Sequence, residues 1–216
     1  MNKISATIIT YNEEQNICDC LESVRWTDEI VVVDAQSSDR TVELCRKYTD
    51  KVFSHPWSGF VNQKNLALSK TSGDWILSLD ADERVSSELA KEIKSVVLAS
   101  DYDGYCFPRK TYYLGRWINH SGWYPDYKLR LIRRGKGEWK GIDPHDRLEV
   151  TGKTGHLKGD VQHYSYQNIS HHLEKINSYT SIMAKELKKR GKRGNQLKVY
   201  ELSEFSEYLF LFSLIR

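Results

Sequence analysis

Short apolar runs alternate with stretches of helical period through the first hundred residues. Ile4–Thr10 and Glu29–Asp34 are rich in β-branched residues and bounded by polar turns; residues 51–54 and 75–79 repeat the theme, and each run predicts a strand. The intervening segments predict four helices. The first runs from Asn12, a candidate N-cap, to about Arg25, and the second opens at Ser37-Ser38-Asp39-Arg40 and reaches about Tyr48. The third covers 62–70 and the fourth 86–98. Strands alternating with helices predict a mostly parallel central sheet in a three-layer α/β/α arrangement. After residue 100 the pattern changes. Residues 104–113 and 127–133 predict strands around a Gly- and aromatic-rich stretch, and Gly135, Gly137 and Gly141 read as loop punctuation. Residues 170–190 carry Leu173, Ile176, Tyr179, Ile182 and Leu187 near helical spacing. With no internal repeat or low-complexity linker, the expected organisation is one domain over 1–168, in halves 1–100 and 101–168, and a helical tail over 169–216.

The 216-residue chain, 39% hydrophobic and 28% charged, suits one sizeable soluble core. Its 13 Tyr and 6 Trp fall largely after residue 100, and aromatic faces serve sugar and base recognition as well as packing. Cys18, Cys20, Cys45 and Cys106 show neither zinc spacing nor a CxxC pair, which predicts reduced thiols in a cytoplasmic protein. The chain enters its first strand without a signal-peptide pattern, and no apolar run approaches the ~20 residues that span a bilayer. The net charge of +3 is unevenly spread: 185–198 holds seven Lys/Arg against one acid, a local +6 that leaves −3 for the rest. The first half therefore lacks the basic footprint of a nucleic-acid binder. The basic segment, followed by Tyr200, Phe205, Tyr208, Phe210 and Phe212, suits peripheral contact with an anionic membrane surface, as on the cytoplasmic face of an inner membrane.

Two of the predicted strands end in acid, at Val33-Asp34 and Leu79-Asp80. In a parallel sheet both ends share one edge, so Asp34 and Asp80 should line a crevice with the loop after strand one. Asp80-Ala81-Asp82 places two carboxylates two residues apart at a strand end, where they can reach a Mg²⁺ or Mn²⁺ ion, or can simply form a solvated turn before the helix near Ser86. The chain has no GxGxxG and no GxxxxGK[ST], so a nucleotide bound here needs a metal to carry its phosphate charge. The acidic, glycine-free Tyr11-Asn12-Glu13-Glu14 disfavours a nucleotidyltransferase of related fold. A non-catalytic sugar-binding module would leave Asp34, Asp80, Asp82 and Asp146 without a joint role.

Four segments in order carry a resemblance. Ile8-Ile9-Thr10-Tyr11-Asn12-Glu13, then Val33-Asp34-Ala35-Gln36-Ser37-Ser38-Asp39-Arg40-Thr41, then Gln63-Lys64-Asn65, then Leu79-Asp80-Ala81-Asp82-Glu83 resemble family 2 glycosyltransferases of the GT-A fold. Within that family the likeness is to lipopolysaccharide core glycosyltransferases of Gram-negative bacteria. The resemblance, over about residues 3–170, implies an inverting transferase that moves a hexose from a UDP-sugar, UDP-glucose being favoured, to a saccharide or lipid-linked acceptor. Residues 1–100 would bind the donor and 101–168 the acceptor. Thr10, Tyr11 and Glu13 would surround the base, Asp34 the uracil or ribose, Lys64 the nucleotide, and Asp80 the ribose or metal side, while Asp82 would coordinate the metal. Lys64-Asn65 replaces the frequent Arg-Asn, which keeps the charge and loses the planar fork. Inversion needs one general base, and the family pattern points to Asp146, next to His145, with Asp143 and Glu149 as rivals. Relatives commonly carry Glu there. His163 stands where some relatives supply a further metal ligand. Trp117, Trp123, Tyr124, Lys128 and Arg130 suit an acceptor platform, and Arg130 equally suits the donor diphosphate.

Overall fold

The computed structural model describes residues 2–166 and 168–191. Strand β1 (Ile4–Thr10) is buried at every position, because the sheet around it is covered on both faces. It pairs in parallel with β2 (Glu29–Asp34) and β4 (Trp75–Asp80), and β2 pairs in parallel with β3 (Val52–Ser54). Beyond β4 the sheet becomes mixed: β8 (Asp126–Arg133) is antiparallel to β4 and to β6 (Gly104–Tyr113). Next comes β12 (Val161–His163), parallel to β6 and antiparallel to β5 (Glu83–Val85). The order β3-β2-β1-β4-β8-β6-β12-β5 thus runs from β4 to the strand that follows it in sequence, and the sheet curls to bring them together. Short strands β7 (Arg116–Trp117) and β11 (Thr154–His156) pair with β6. A separate hairpin is formed by β9 (Gly137–Ile142) and β10 (His145–Val150).

One face of the sheet carries the main core. Ile4, Ala6 and Ile8 of β1 and Trp75, Leu77 and Leu79 of β4 pack with residues of α1 (Ile17–Ser23), α2 (Thr41–Cys45) and α4 (Ser87–Val96). Each fully buried side chain of this size contributes about 1.5–3 kcal/mol. Alternate β-strand residues reach the other face, where Ile9 and Val33 meet Ala67 of α3 (Phe60–Ser69) and Ile76 meets Trp139 and Leu148 of the hairpin. The expected three-layer architecture is present, with a hairpin taking part of one helical layer. Helix α5 (Ile169–Lys189) follows the sheet. All four cysteines are free, and among the described residues no helix is long and apolar enough to cross a membrane. The aromatic tail and the basic run from residue 192 onward lie outside the described residues.

Two helix starts differ from expectation. Asn12 is not an N-cap: it adopts φ 52, and its Oδ1 accepts from Ser38 N at 2.8 Å. Helix α1 begins at Ile17, with Asn16 at its N-cap position, four residues later than an Asn12 cap would place it. Ser37 to Arg40 likewise form a loop, in which Asp39 accepts from Glu14 N and Thr41 N. Polar side chains that commonly cap helices here tie two loops together.

At the opposite end of the sheet, Glu29 joins three segments. It accepts from Ser72 N and Oγ at 2.8 Å each, from Ser5 Oγ, and from Lys51. Burial would raise its carboxyl, but Lys51, Ser5 and Ser72 outweigh burial and draw it from 4.5 down to about 2. A lowered carboxyl stabilises the fold above its unfolded value and loses that contribution as pH falls. Glu29→Gln should therefore cost about 1–3 kcal/mol at neutral pH, with the deficit shrinking as pH falls below 4.5 toward about 2. Urea unfolding across that range checks this; a pH-independent deficit would show that the charge is not the cause.

Candidate active site

A cleft of about 1120 Å³ opens where β1 and β4 end, walled by β6, β8, the β9–β10 hairpin and α5. Strand ends collect there because a parallel sheet exposes its carboxyl edge in one direction. Thr10, Tyr11, Glu13, Lys64, Asp80, Asp82, Trp123, Arg130, Asp146 and His163 all line it. With Lys128, which also lines it, eleven of the fourteen residues given a role from sequence are gathered in one cavity; Trp117 packs instead against Tyr112 and Tyr164. Asp34 stands behind the wall made by Ala35 and Gln36, its carboxylate accepting from Ser37 N at 2.9 Å and Ser37 Oγ at 2.5 Å. Tyr124 lies away from the cleft, and its hydroxyl donates to Asp160 at 3.0 Å.

The floor is an ion-pair cluster. β4 stops at Asp80, and Ala81-Asp82 turn the chain into β5, where Glu83 is fully buried. Glu83 holds the turn: its Oε2 accepts from Asp80 N at 2.9 Å, and its Oε1 pairs with Arg130 at 3.2 Å. Arg130 also meets Asp80 at 3.0 Å. Lys64 Nζ lies 3.0 Å from the other Asp80 oxygen and 2.8 Å from Asp146. The indole of Trp139 lies under both cations, 4.3 Å from Lys64 Nζ and 5.2 Å from the Arg130 guanidinium. Burial and Asp82 act to raise the Asp80 carboxyl, but Lys64 and Arg130 outweigh them and hold it well below the usual range. Arg130 is buried among Glu83, Asp80 and Asp146, which keep it charged, and its Nη1 has no hydrogen-bond partner among the described residues. Neither the Glu83 clamp nor the Trp139 contact was anticipated; the third acid in Asp80-Ala81-Asp82-Glu83 was the available signal.

Asp82 forms a second centre. His163 Nε2 is 3.5 Å from its Oδ2, and Lys175 Nζ of α5 is 3.4 Å from the same oxygen. Burial would raise the Asp82 carboxyl, but His163 and Lys175 outweigh it and hold it low. Glu13 nearby is raised, by burial first and then by the Asp82 charge. The pair Asp82–His163 offers a carboxylate oxygen, which suits Mg²⁺ and Mn²⁺, and an imidazole nitrogen, which suits a transition ion and so fits Mn²⁺ better than Mg²⁺. The oxygens of Asp80 are taken by Lys64 and Arg130, and among the described residues no group of three His, Cys, Asp or Glu is placed to hold a metal. A cation held by Asp82 and His163 would complete its shell from phosphate and water, as Mg²⁺ commonly does.

The three acids of the hairpin region separate clearly. Asp143 accepts from Phe60 N at 3.1 Å and Val61 N at 3.3 Å, capping the start of α3. Glu149 sits on the outer side in ion pairs with Arg147 and Lys140. Asp146 alone of the three lines the cleft. It faces Gly141 across the hairpin, and a Cβ at Gly141 (φ 119) would meet His145 O at 2.5 Å. Gly137 and Gly141 thus lie within β9, not in loops, and Gly141 lets the Asp146 strand approach closely.

A sequence model described as Glycosyl transferase family 2 matches residues 5–152. The chain is 35% identical over 206 residues to an uncharacterized glycosyltransferase of Rickettsia typhi, covering 89% of this chain and 70% of that one. It is 32% identical over 198 residues to the lipopolysaccharide core biosynthesis glycosyltransferase LpsC of Rhizobium meliloti, covering 88% and 73%. Among solved structures, mannosyl-3-phosphoglycerate synthase from Rubrobacter xylanophilus superposes with a TM-score of 0.59 at 16% identity, covering 90% of this chain and 76% of that one. The GT-A-like fold, the cleft at the sheet's carboxyl edge and these matches agree, and the chain belongs to glycosyltransferase family 2.

Proposed function

We propose that the chain is a metal-dependent, inverting hexosyltransferase. It moves a sugar, glucose first among the candidates, from a UDP-sugar to a saccharide or lipid-linked acceptor during assembly of lipopolysaccharide core or another cell-surface glycan. The observation that carries this reading is the spacing of charge within one cleft: the Asp82–His163 pair on one side, the Lys64–Arg130 cations at Asp80 in the middle, and Asp146 beyond them.

Thr10, Tyr11 and Glu13 would hold the base, with Thr10 Oγ1 buried and without a hydrogen-bond partner among the described residues and the exposed Tyr11 ring offering a stacking face. Asp34 would act by fixing the Ser37 loop beside the base. Lys64 and the spare Arg130 Nη1 offer donors to the diphosphate. Mg²⁺ or Mn²⁺ on Asp82 and His163 would neutralise diphosphate charge as it leaves. In a single displacement, the acceptor oxygen bonds to the anomeric carbon, the bond from that carbon to the diphosphate breaks, and its electron pair leaves with the diphosphate. Asp146 takes the proton from the acceptor hydroxyl. Trp123, packed on Tyr113 at the cleft lining, would border the acceptor sugar.

A panel of nucleotide sugars with and without Mn²⁺ or Mg²⁺ tests this by thermal unfolding. A UDP-sugar at a hundred times its Kd should add about 2.7 kcal/mol of stability, and Asp82→Ala should remove the metal-dependent part. If no UDP-sugar raises Tm with either metal, the donor assignment is wrong.

A further inference from the structure

Helix α5 packs along the cleft, where His172 stacks on the lining residue Tyr166 with ring centroids 4.0 Å apart. Lys175 reaches Asp82, Tyr179 meets the ring of Phe60 edge-on with centroids 6.2 Å apart, and Arg190 donates to Gly141 O at 3.3 Å. His172 is its one fully buried residue among those described, while Ile169 and Leu173 are about half exposed. Apart from His172, which packs on Tyr113 and Tyr166, the described part of the helix buries little apolar surface, and elements with few buried apolar contacts open at low cost. On its cleft side Lys175 carries the charge. Its ammonium donates to Ser165 O at 2.9 Å and lies at a looser 3.4 Å from Asp82 Oδ2. The cluster at Asp80 is tighter, with all of its lysine and arginine contacts to Asp80 and Asp146 between 2.8 and 3.0 Å.

We propose that Lys175 is the resident counter-cation of Asp82, that it competes with a divalent cation for that carboxylate, and that it serves the nucleotide diphosphate once the cation has taken its place. The inference rests on the proposed metal role of Asp82. A buried carboxylate without a metal needs positive charge beside it; His163 on β12 and Lys175 on α5 flank the same Asp82 oxygen, and of the two Lys175 has the long flexible side chain that can withdraw. An ammonium and a divalent ion on the same oxygen repel each other, so metal alone must displace Lys175 and binds weakly. A diphosphate arriving with the metal offers the displaced ammonium new oxygens within the same wall of the cleft, where both Lys175 and Ser165 lie. Metal and nucleotide then bind with positive coupling, and part of that coupling belongs to one lysine.

Lys175→Met separates the two halves of this statement by giving them opposite signs. Mn²⁺ affinity of the protein without nucleotide, followed by electron paramagnetic resonance, should rise on the order of tenfold, because a competing charge is gone. UDP affinity at saturating Mn²⁺, followed by calorimetry, should fall by a similar factor. Lys175→Arg should keep the wild-type order of both. Lys175→Gln, which retains a donor for Ser165 O, carries the same expectations as the methionine variant should that variant fold poorly. Unchanged or weaker Mn²⁺ binding in the neutral variants overturns the competition. Unchanged UDP binding overturns the transfer to the diphosphate. If the wild type binds Mn²⁺ no better than Asp82→Ala does, the metal role itself fails and this inference falls with it, an outcome distinguishable from the others because it needs no Lys175 variant.

Discussion

Asp146→Asn is expected to lower sugar transfer by roughly 10²–10⁴-fold, the usual range for loss of a general base, while donor affinity stays within about a factor of two. The amide keeps the shape of the side chain and can still accept a hydrogen bond from Lys64, now 2.8 Å away, but it cannot take a proton. Lys64 retains its second partner, Asp80, so the donor side of the cleft keeps its charge. The rival acids give a contrast within the same assay. Asp143→Asn should weaken the α3 cap and lower stability by about 0.5–2 kcal/mol with little loss of kcat. Wild-type transfer by the Asp146 variant would place the base elsewhere.

The largest effect on stability is expected at Arg130. Replacing it with Met leaves Glu83 fully buried without its cation and Asp80 with Lys64 alone. Breaking a buried pair from one side costs about 3–5 kcal/mol, because an uncompensated charge remains inside. Urea unfolding of Arg130→Met measures the loss, and the double variant with Glu83→Gln should recover part of it through the coupling of neighbouring sites. The sign of the pH response follows from Asp80. Its carboxyl is held low in the fold, so its contribution is complete above its ordinary value of 3.8 and is lost as pH falls below that. The wild type should therefore lose stability in acid more steeply than the variant. A variant as stable as the wild type would mean that the cluster is not what secures the β4–β5 turn.

The first half was legible because its signals are local. The β-branched runs of β1 and β2 and the apolar run of β4 declare buried strands by composition, and the fourth helix starts where expected, with Ser86 as its N-cap accepting from Leu89 N at 3.2 Å. The early helices were misjudged where a capping residue had a distant partner. Asn12 binds Ser38, and Asp39 binds Glu14, choices that no local pattern reveals. The site divides in the same way. Lys64, Asp80 and Asp82 stand in ordered motifs and Asp146 in the segment that the resemblance points to, and all four line the cleft, whereas Glu83 and Trp139 matter through Arg130 and Lys64, which lie far away in sequence. Lys175 did leave a trace. It is a lone cation beside Ile176 on the helix face that also carries His172 and Tyr179, and a charge on such a face invites the question of what it pairs with.

The closure of the sheet sets a limit on how this protein can vary in length. Asp82 and His163 meet because β5 pairs with β12 in a register that sets Glu83 opposite His163, and Tyr164 N donates to Asp82 O at 2.9 Å. Backbone pairing, not side-chain reach, positions the metal-binding candidates. A single inserted or deleted residue in β12 would turn His163 to the other face and present a neighbour in its place. The same pairing spans both halves of the chain, so a nascent polypeptide acquires its DxD strand early and a competent site only after β12 has docked.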